Sequence, residues 1–291
     1  MDTTRLFASA ALAFAPLAAH AADDPIADQS APIIVTGRAD GYRVVDTATA
    51  TKTNTPILDI PQAITVISRA QIDDQAIRSV ADLVRLVPGV SAGQGEGNRD
   101  QITLRGNNST ADFFVDGLRD DVQYFRSFYN VERVKVLKGA NAMIFGRGGG
   151  GGVFNRVTKS PLAGVRATEA TASADSFGSW TVAGDVNLPL GGAALRVNGV
   201  YETLANHRDS YDGERYAVNP VIGTELAGGA KLQLGYEYLR DVRVADRGIP
   251  SLSGRPLAGF RDVFFGAPGV NEADIEAHVV RAGPASRWPP T

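Results

Sequence analysis

The sequence has 291 residues, with 29 basic and 32 acidic side chains and a formal net charge of −3. This near balance gives no reason to expect a nucleic-acid partner, and the length allows one or two domains with a hydrophobic core. The chain contains no cysteine and three histidines that are far apart, which excludes disulfides and cysteine-based metal sites. We therefore expect no metal centre, no cofactor and no nucleic-acid partner.

Residues 1–21 have the pattern of a secretory signal peptide. Arg5 precedes an apolar run at 6–19, and the sequence Ala-His-Ala at 19–21 suits cleavage. A buried N-terminal helix is the alternative, which Pro16 disfavours. Because no other run approaches ~18 apolar residues, a membrane-spanning helix is not expected. If the mature chain meets a membrane, it must do so through β-structure or at the surface.

The next part of the chain predicts a short extended segment and then an α+β region. A polar stretch is followed by Pro-Ile-Ile-Val-Thr-Gly at 32–37, and the residues from 41 to 61 are typical of a linker. A strand is expected from Ile64, and Ser68 with Gln71 predicts a capping box at the start of a helix. An apolar stripe at 80–87 indicates that the helix continues until Pro88-Gly89.

Three further β patterns follow this helix. The sequences are Gln-Ile-Thr-Leu-Arg-Gly at 101–106, Asp-Phe-Phe-Val-Asp-Gly at 112–117, and Asn-Val-Glu-Arg-Val-Lys-Val-Leu-Lys-Gly at 130–139. The second ends in an Asp-Gly turn, and the third is apolar enough for a strand that is buried on one side.

From about residue 162 apolar and polar residues alternate, which predicts antiparallel strands. We expect five or six strands, at 165–174, 179–190, 193–201, 216–226, 230–238 and, as the sixth, 277–281. Short connectors at 189–192 and 227–229 alternate with long ones at 204–215 and after 241, as in transmembrane β-barrels. A soluble antiparallel sandwich with one buried face is the alternative, and periodicity alone does not separate the two.

Five consecutive glycines at 148–152 raise the question of a phosphate-binding loop. The stretch 146–151 matches Gly-x-Gly-x-x-Gly literally, but the run after it, Val-Phe-Asn-Arg-Val-Thr-Lys, predicts a strand. A dinucleotide loop requires a helix there, and a Walker loop requires Gly-Lys-Ser/Thr. We therefore predict a turn where a positive φ or a close neighbouring backbone excludes a Cβ, and we do not predict an enzyme.

Several of these motifs, taken in order, resemble the plug domain of TonB-dependent siderophore receptors. The segment at 130–159 resembles the end of that plug, with Ala140 where the family usually has Pro. The segments at 101–106, 112–117 and 68–90 are similar to other plug motifs, and 32–37 is similar to a TonB box. The resemblance covers residues 32 to 281 and is closest to the catecholate type.

The resemblance implies roles for individual residues. A TonB box pairs edge-on with a strand of the TonB C-terminal domain, and its residues here are Pro32, Ile33, Ile34, Val35, Thr36 and Gly37; a first strand of the plug's own sheet is the alternative. Contacts to the ferric siderophore are implied for Arg99, Asn108 and Tyr124. A lock between plug and barrel carboxylates beyond residue 291 is implied for Arg105 and Lys138. Structural roles are implied for Gly139, Gly146, Gly148, Gly151 and Gly152.

The expected fold is an α+β plug, a mixed sheet with short helices, followed by the first five or six antiparallel strands of a transmembrane β-barrel. The expected divisions are a signal peptide at 1–21, a tail with the TonB box at 22–40, the plug at 41–161, a partial barrel at 162–281 and an atypical tail at 282–291.

The implied function is TonB-driven transport of ferric siderophores across the outer membrane, in contact with its lipid. A barrel around a plug of ~120 residues needs about 22 strands. We therefore expect a fragment that is not competent alone. The alternative is an exported, soluble β-rich protein that binds a ligand or a surface.

Overall fold

A computed structural model describes residues 41–42, 46–47, 55–93, 95–139, 142–146, 150–226 and 229–284. These residues fall within one compact unit. The predicted signal peptide, the predicted TonB box and the tail after residue 284 lie outside the described residues, as does Gly148. Below, the plug denotes residues 41–161, and the wall denotes the antiparallel sheet that follows it.

The plug consists of short strands and helices. Its strands are β1 (Asp46–Thr47), β2 (Thr55–Pro56), β3 (Ala63–Ser68), β4 (Val90–Ala92), β5 (Ile102–Leu104), β6 (Asn107–Ser109), β7 (Phe113–Val115), β8 (Leu118–Arg119), β9 (Val131–Lys138) and β10 (Gly152–Thr158). Its helices are α1 (Arg69–Asp74), α2 (Val80–Val84) and α3 (Ala142–Phe145), with 3-10 turns at Ile57–Asp59 and Gly95–Gly97.

A mixed five-stranded sheet forms the centre of the plug. The strand order is β3-β9-β10-β7-β8, and β10 pairs with β7 in parallel while the other pairs are antiparallel. Strand β9 lies inside this sheet because its valines are fully buried, with Val134 and Val136 both 0% exposed. The helices α1 and α2 supply Ile72 and Leu83 to the same core. This arrangement confirms the predicted mixed sheet with short helices.

The helical segment differs in detail from the expectation. Ser68 Oγ accepts a hydrogen bond from the Gln71 amide at 3.2 Å, but α1 ends at Asp74. Ala76 adopts a positive φ of 48°, which interrupts the helix. The complete capping box instead forms at the start of α2, between Ser79 and Asp82. The apolar stripe read as one helix therefore belongs to a second, separately capped helix.

The wall is a six-stranded antiparallel sheet in chain order. Its strands are β11 (Ala167–Ala174), β12 (Trp180–Leu190), β13 (Ala193–Ala205), β14 (Asp212–Glu225), β15 (Lys231–Val244) and β18 (Glu272–Pro284), and a small hairpin of β16 (Ser251–Leu252) and β17 (Arg255–Pro256) lies in the connector before β18. The antiparallel strands were predicted, including the sixth. The strands β13, β14, β15 and β18 are longer than expected, so the connector expected at 204–215 shrinks to 206–211. The long connector is 245–271.

The two faces of the wall have opposite character. Many large apolar side chains on one face are exposed, including Val280 at 72%, Leu234 and Ile222, whereas Val200, Ala217 and Leu239 on the other face are buried with Tyr124. Polar side chains lie on that other face: Glu237 accepts hydrogen bonds from the plug residues Tyr129 and Asn130, and Asn198 is 0% exposed. A soluble sandwich would bury the apolar face, so this arrangement favours a wall whose apolar face meets lipid. None of the helices in the described residues is both long and apolar enough to cross a membrane.

Pro220 lies within β14 despite its lack of a backbone donor. The β14–β15 register on either side of it places Pro220 opposite Tyr236. The Asn219 side chain donates to the Tyr236 carbonyl oxygen at 2.7 Å. The neighbouring side chain thus provides a hydrogen bond where proline cannot, which explains how the strand tolerates this residue.

Candidate functional site in the plug and at its contact with the wall

A buried ionic cluster joins the loops at the long-connector end of the plug. Arg126, only 1% exposed, places its Nε 2.9 Å from Asp120 Oδ2. Arg156 Nη2 approaches the same oxygen at 2.8 Å and also donates to the Tyr124 hydroxyl at 2.7 Å. The Arg126 backbone amide donates to Asp100 Oδ2 at 2.8 Å. Two chain segments, near 100 and at 120–126, are therefore held together by charge-assisted hydrogen bonds.

The fold shifts the pKa values of the two carboxylates of this cluster, Asp100 and Asp120, in opposite directions. Burial raises the pKa of Asp100, and this effect exceeds the attraction of Arg126. Burial also disfavours the charge of Asp120, but the adjacent guanidinium groups of Arg156 and Arg126 hold the pKa of Asp120 below its usual range. Asp120 is thus the carboxylate nearest to both buried arginines, while Asp100 lies 3.6 Å from Arg126 Nη1.

We expect Asp120→Asn to destabilise the plug by about 3 kcal/mol, because the buried guanidinium groups of Arg126 and Arg156 both lose their nearest carboxylate. Asp100→Asn is the matched control, and it should cost less than about 1 kcal/mol because an amide oxygen can still accept from the Arg126 backbone amide. A urea series read by trypsin resistance of the plug measures both.

The stability of the plug should fall as the pH is lowered, because Asp120 becomes protonated. The contribution of Asp120, whose pKa is lowered by folding, is present above its unfolded pKa and is lost as the pH falls through the folded pKa. If Asp120→Asn and Asp100→Asn lowered the free energy of unfolding equally, Asp120 would not be the more important partner of the arginines.

Tyr124, a predicted siderophore contact, is buried between the plug and the wall. The side chain is 5% exposed and packs against wall residues such as Leu239. Its hydroxyl is engaged with Arg156 and with Asp120. The alternating inner face of the wall covers this ring, and the predicted siderophore contact of Tyr124 stays a prediction. Sequence position relative to the plug motifs could not reveal that cover.

Arg99 and Asn108 lie on different parts of the plug. Arg99 is half-buried in the loop 95–100, and among the described residues its Nε has no hydrogen-bond partner. Asn108 is exposed on β6 and accepts from Gln101 Nε2 at 2.7 Å. The roles of Arg99 and Asn108 in binding stay predictions.

Arg105 and Lys138 lie close together, as a shared lock would require. A Cβ on Gly139 would lie 3.1 Å from Arg105 Nη1, and Lys138 Nζ donates to the Pro88 carbonyl at 3.0 Å. Within the described part of the chain neither cation forms an ion pair with a carboxylate. Their predicted lock with barrel carboxylates stays a prediction.

The contacts between plug and wall in the described residues are made elsewhere. Glu237 Oε1 accepts from the Tyr129 hydroxyl and from Asn130 Nδ2, both at 3.0 Å. Arg281 Nη1 donates to Glu237 Oε2 at 2.9 Å. Lys159 Nζ of the plug donates to Asp185 Oδ2 of the wall at 2.8 Å. Burial raises the pKa of Tyr129 well above its ordinary value, and the nearby Glu237 carboxylate adds to this.

These plug–wall residues were missed because sequence periodicity identifies only the polar face of a strand. Glu237 and Asp185 both belonged to the predicted polar faces. Which plug residue meets each of them depends on the tertiary fold. Phe125 is a further example, since the guanidinium group of Arg243 lies 4.4 Å from its ring centre.

The glycine cluster lies where the backbone of β5 approaches closely. A Cβ on Gly151 would overlap the Leu104 carbonyl oxygen, and one on Gly152, which has a φ of 150°, would overlap the Leu137 carbonyl oxygen. Gly150 is exposed and meets nothing closer than 3.6 Å. Gly139 and Gly146 have positive φ values of 107° and 77°. The steric requirement is therefore concentrated at Gly151 and Gly152.

The described residues offer no group of three or more His, Asp or Glu side chains arranged to hold a metal ion. The polar clusters described above pair acids with arginine, lysine, tyrosine or asparagine. These clusters stabilise the fold, because each of their buried charges has a partner of opposite sign.

Comparison with known proteins places this geometry in a family. Residues 56–153 match the TonB-dependent Receptor Plug Domain. The "Probable TonB-dependent receptor BfrD" of Bordetella pertussis is 34% identical over 239 residues, which cover 80% of this chain and 32% of that protein. The "Catecholate siderophore receptor Fiu" of Escherichia coli (strain UTI89) is 30% identical over 284 residues, covering 94% and 36%.

A solved structure matches both regions. The crystal structure of the siderophore receptor PiuA from Acinetobacter baumannii superposes with a TM-score of 0.77 at 26% identity, and it covers 84% of this chain and 36% of that chain. The chain thus spans about a third of the length of these relatives. Because the plug, the wall and their order in the chain all match, the chain belongs to the family of TonB-dependent receptors.

Proposed function

We propose that this chain supplies the plug and the first wall strands of an outer-membrane receptor that imports ferric siderophores with energy from TonB. The observation that carries the proposal is the reversed polarity of the wall. Its apolar side chains, such as Val280 and Leu234, are exposed, while Glu237 and Asp185 face the plug. A sheet with this polarity suits a lipid exterior and a polar interior.

Two sets of plug residues have proposed roles in this function. Arg99, half-buried with an unpartnered Nε among the described residues, suits an anionic chelate approaching from the long-connector side, and Asn108 offers an exposed amide. Arg105 and Lys138 are suited to hold the plug to carboxylates of the barrel. Their cationic side chains lie close together, and neither pairs with a carboxylate in the described residues.

The proposed coupling to TonB depends on residues 32–37. Their β-branched side chains favour an extended strand, and they follow a polar, acidic stretch. An extended segment of this kind can add to the sheet edge of the TonB C-terminal domain through backbone hydrogen bonds.

A chimeric receptor tests the proposal. Residues 1–284 are joined to the remaining strands of the Bordetella pertussis relative and expressed in a Gram-negative strain that lacks siderophore receptors. Growth on ferric siderophores is expected. In the same chimera Ile34→Pro should abolish growth and leave siderophore binding by whole cells unchanged, because proline removes a backbone donor from the strand contact.

The control is Ile26→Pro, upstream of the proposed box, which should grow normally. A chimera that reaches the outer membrane and binds no ferric siderophore would refute the proposed function. Normal growth of the Ile34→Pro chimera would refute the TonB box alone.

A further inference from the structure

Asn198, in the middle of β13, is a buried amide that the fold leaves without hydrogen bonds. The residue is 0% exposed, and neither Nδ2 nor Oδ1 has a partner among the residues that the structure describes. Interchanging the amide oxygen and nitrogen changes nothing, since both positions are unpaired. Most buried side-chain amides in folded proteins are hydrogen-bonded, because burial without a partner costs free energy. The wall therefore carries a penalty at this position.

The first neighbour of Asn198 is already engaged with other groups. The strand register places Asp185 of β12 and Asn219 of β14 opposite Asn198, one on each side. The two carboxylate oxygens of Asp185 accept from Arg196 at 2.9 and 2.7 Å and from Lys159 at 2.8 Å. Because charged donors hold Asp185 on both oxygens, its side chain is fixed in place and does not turn toward the amide.

The second neighbour, Asn219, is engaged because of the proline that follows it. Its Nδ2 donates to the Tyr236 carbonyl, which has no backbone donor opposite it at Pro220. Its Oδ1 accepts from Asn130 Nδ2 at 3.3 Å. Both ends of the Asn219 amide are thus used. The proline in β14 thereby removes the remaining cross-strand partner that Asn198 could have had.

The plug lies over this part of the wall and brings a further unpaired group. Lys159 and Asn130, which contact the two neighbours of Asn198, are joined by a hydrogen bond from the Lys159 amide to the Asn130 carbonyl at 2.9 Å. Asn130 is 1% exposed, and its Oδ1 has no partner in the described part of the chain. Unsatisfied polar atoms therefore lie on both sides of the same plug–wall contact.

We propose that Asn198 weakens the closed contact of the wall with Asn130 and Lys159, so that the plug separates from the wall there at a lower free-energy cost. Separation admits water to the amide and removes the penalty of its burial. This inference rests on the proposed function, because a siderophore can pass a filled barrel only if plug and wall part somewhere.

Trypsin cleavage after Lys159 measures this separation in the refolded full chain. The Lys159 side chain must leave Asp185 before it can enter the protease, so the initial rate of cleavage follows the population of the open contact. Asn198→Leu has similar branching and no polar side-chain atom. It should slow cleavage about tenfold. Asn198→Val, a smaller apolar replacement, should slow it as well.

The matched control is the same change at Asn187, on the inner face of β12. Asn187 is 1% exposed but fully paired, with hydrogen bonds to both the amide and the carbonyl of Leu162 at 2.9 Å and to the Val165 carbonyl at 2.6 Å. Asn187→Leu removes these bonds and should accelerate cleavage after Lys159. Opposite signs for one substitution at two buried asparagines would identify the unsatisfied one.

The chimeric receptor supplies the second readout. Its Asn198→Leu variant should bind ferric siderophore like the parent and take it up about fivefold more slowly. Unchanged or faster cleavage in Asn198→Leu and Asn198→Val would show that the amide has a partner, such as a bridging water, and would overturn the inference. Slower cleavage with unchanged uptake would overturn the role in import and leave the proposed function standing. A parent chimera that binds no siderophore would refute the proposed function and the role in import together.

Discussion

Gly151→Ala is expected to destabilise the plug by about 3 kcal/mol or more, since the added Cβ would overlap the Leu104 carbonyl oxygen. That carbonyl belongs to β5, whose Ile102 and Leu104 side chains are 0% exposed. The strand cannot move away without disturbing this core, so the overlap has no inexpensive relief.

The adjacent Gly150→Ala is the matched control. Gly150 is exposed, and its Cβ would meet only Asn107 Nδ2, at 3.6 Å. The change in the free energy of unfolding should stay within about 0.5 kcal/mol. Brief trypsin treatment of the refolded chain across a urea series measures the folded fraction of the plug at each concentration. Similar midpoints for the two variants would show that the close approach at Gly151 has no energetic consequence.

Glu237→Leu should have a comparably large effect, at the contact between plug and wall. The substitution removes the acceptor of Tyr129, Asn130 and Arg281 together. Arg281 then keeps a mostly buried charge and loses its nearest counter-ion. The other carboxylate beside it, that of Asp116, is farther away, at 3.9 Å. Breaking a buried ion pair from one side costs about 3–5 kcal/mol.

The readout is the rate of tryptic cleavage after Arg126, which is buried in the segment that Tyr129 and Asn130 hold against the wall. Cleavage should accelerate in Glu237→Leu and recover in part when Arg281→Leu is added, because the unpaired charge is then removed. The control is Glu276→Leu, on the exposed face of β18, which should leave the rate unchanged. An unaltered rate in Glu237→Leu would mean that Glu237 does not hold the plug.

Local patterns in the sequence determined which parts of the chain would form which elements. Alternation of apolar and polar residues over 8–14 positions predicted all six wall strands, because strand side chains have a period of two. Several ordered motifs predicted the plug and its mixed sheet. Local chemistry also excluded a nucleotide loop at the glycines, since a strand follows them and a helix would be needed.

Local patterns were less informative about boundaries. Strand β13 continues to Ala205 and strand β14 begins at Asp212. Their pairing with each other extends beyond the residues that alternate clearly. The apolar stripe at 80–87 predicted a helix but not the break at Ala76. That break depends on a positive φ, which a residue other than glycine adopts only when the surrounding fold holds it there.

Only the tertiary structure decided which face of each wall strand is exposed and which plug residue meets which wall residue. Alternation is the same for a soluble sandwich and for a wall in lipid, because a period of two defines two faces without naming their surroundings. Tyr124 illustrates the limit: its place in the sequence suggested a ligand contact, whereas packing against Leu239 buries it. Glu237 is the opposite case, because the sequence offered no reason to select this polar-face residue. It accepts hydrogen bonds from three residues that are about 40 and 110 positions away, which only the folded chain brings together.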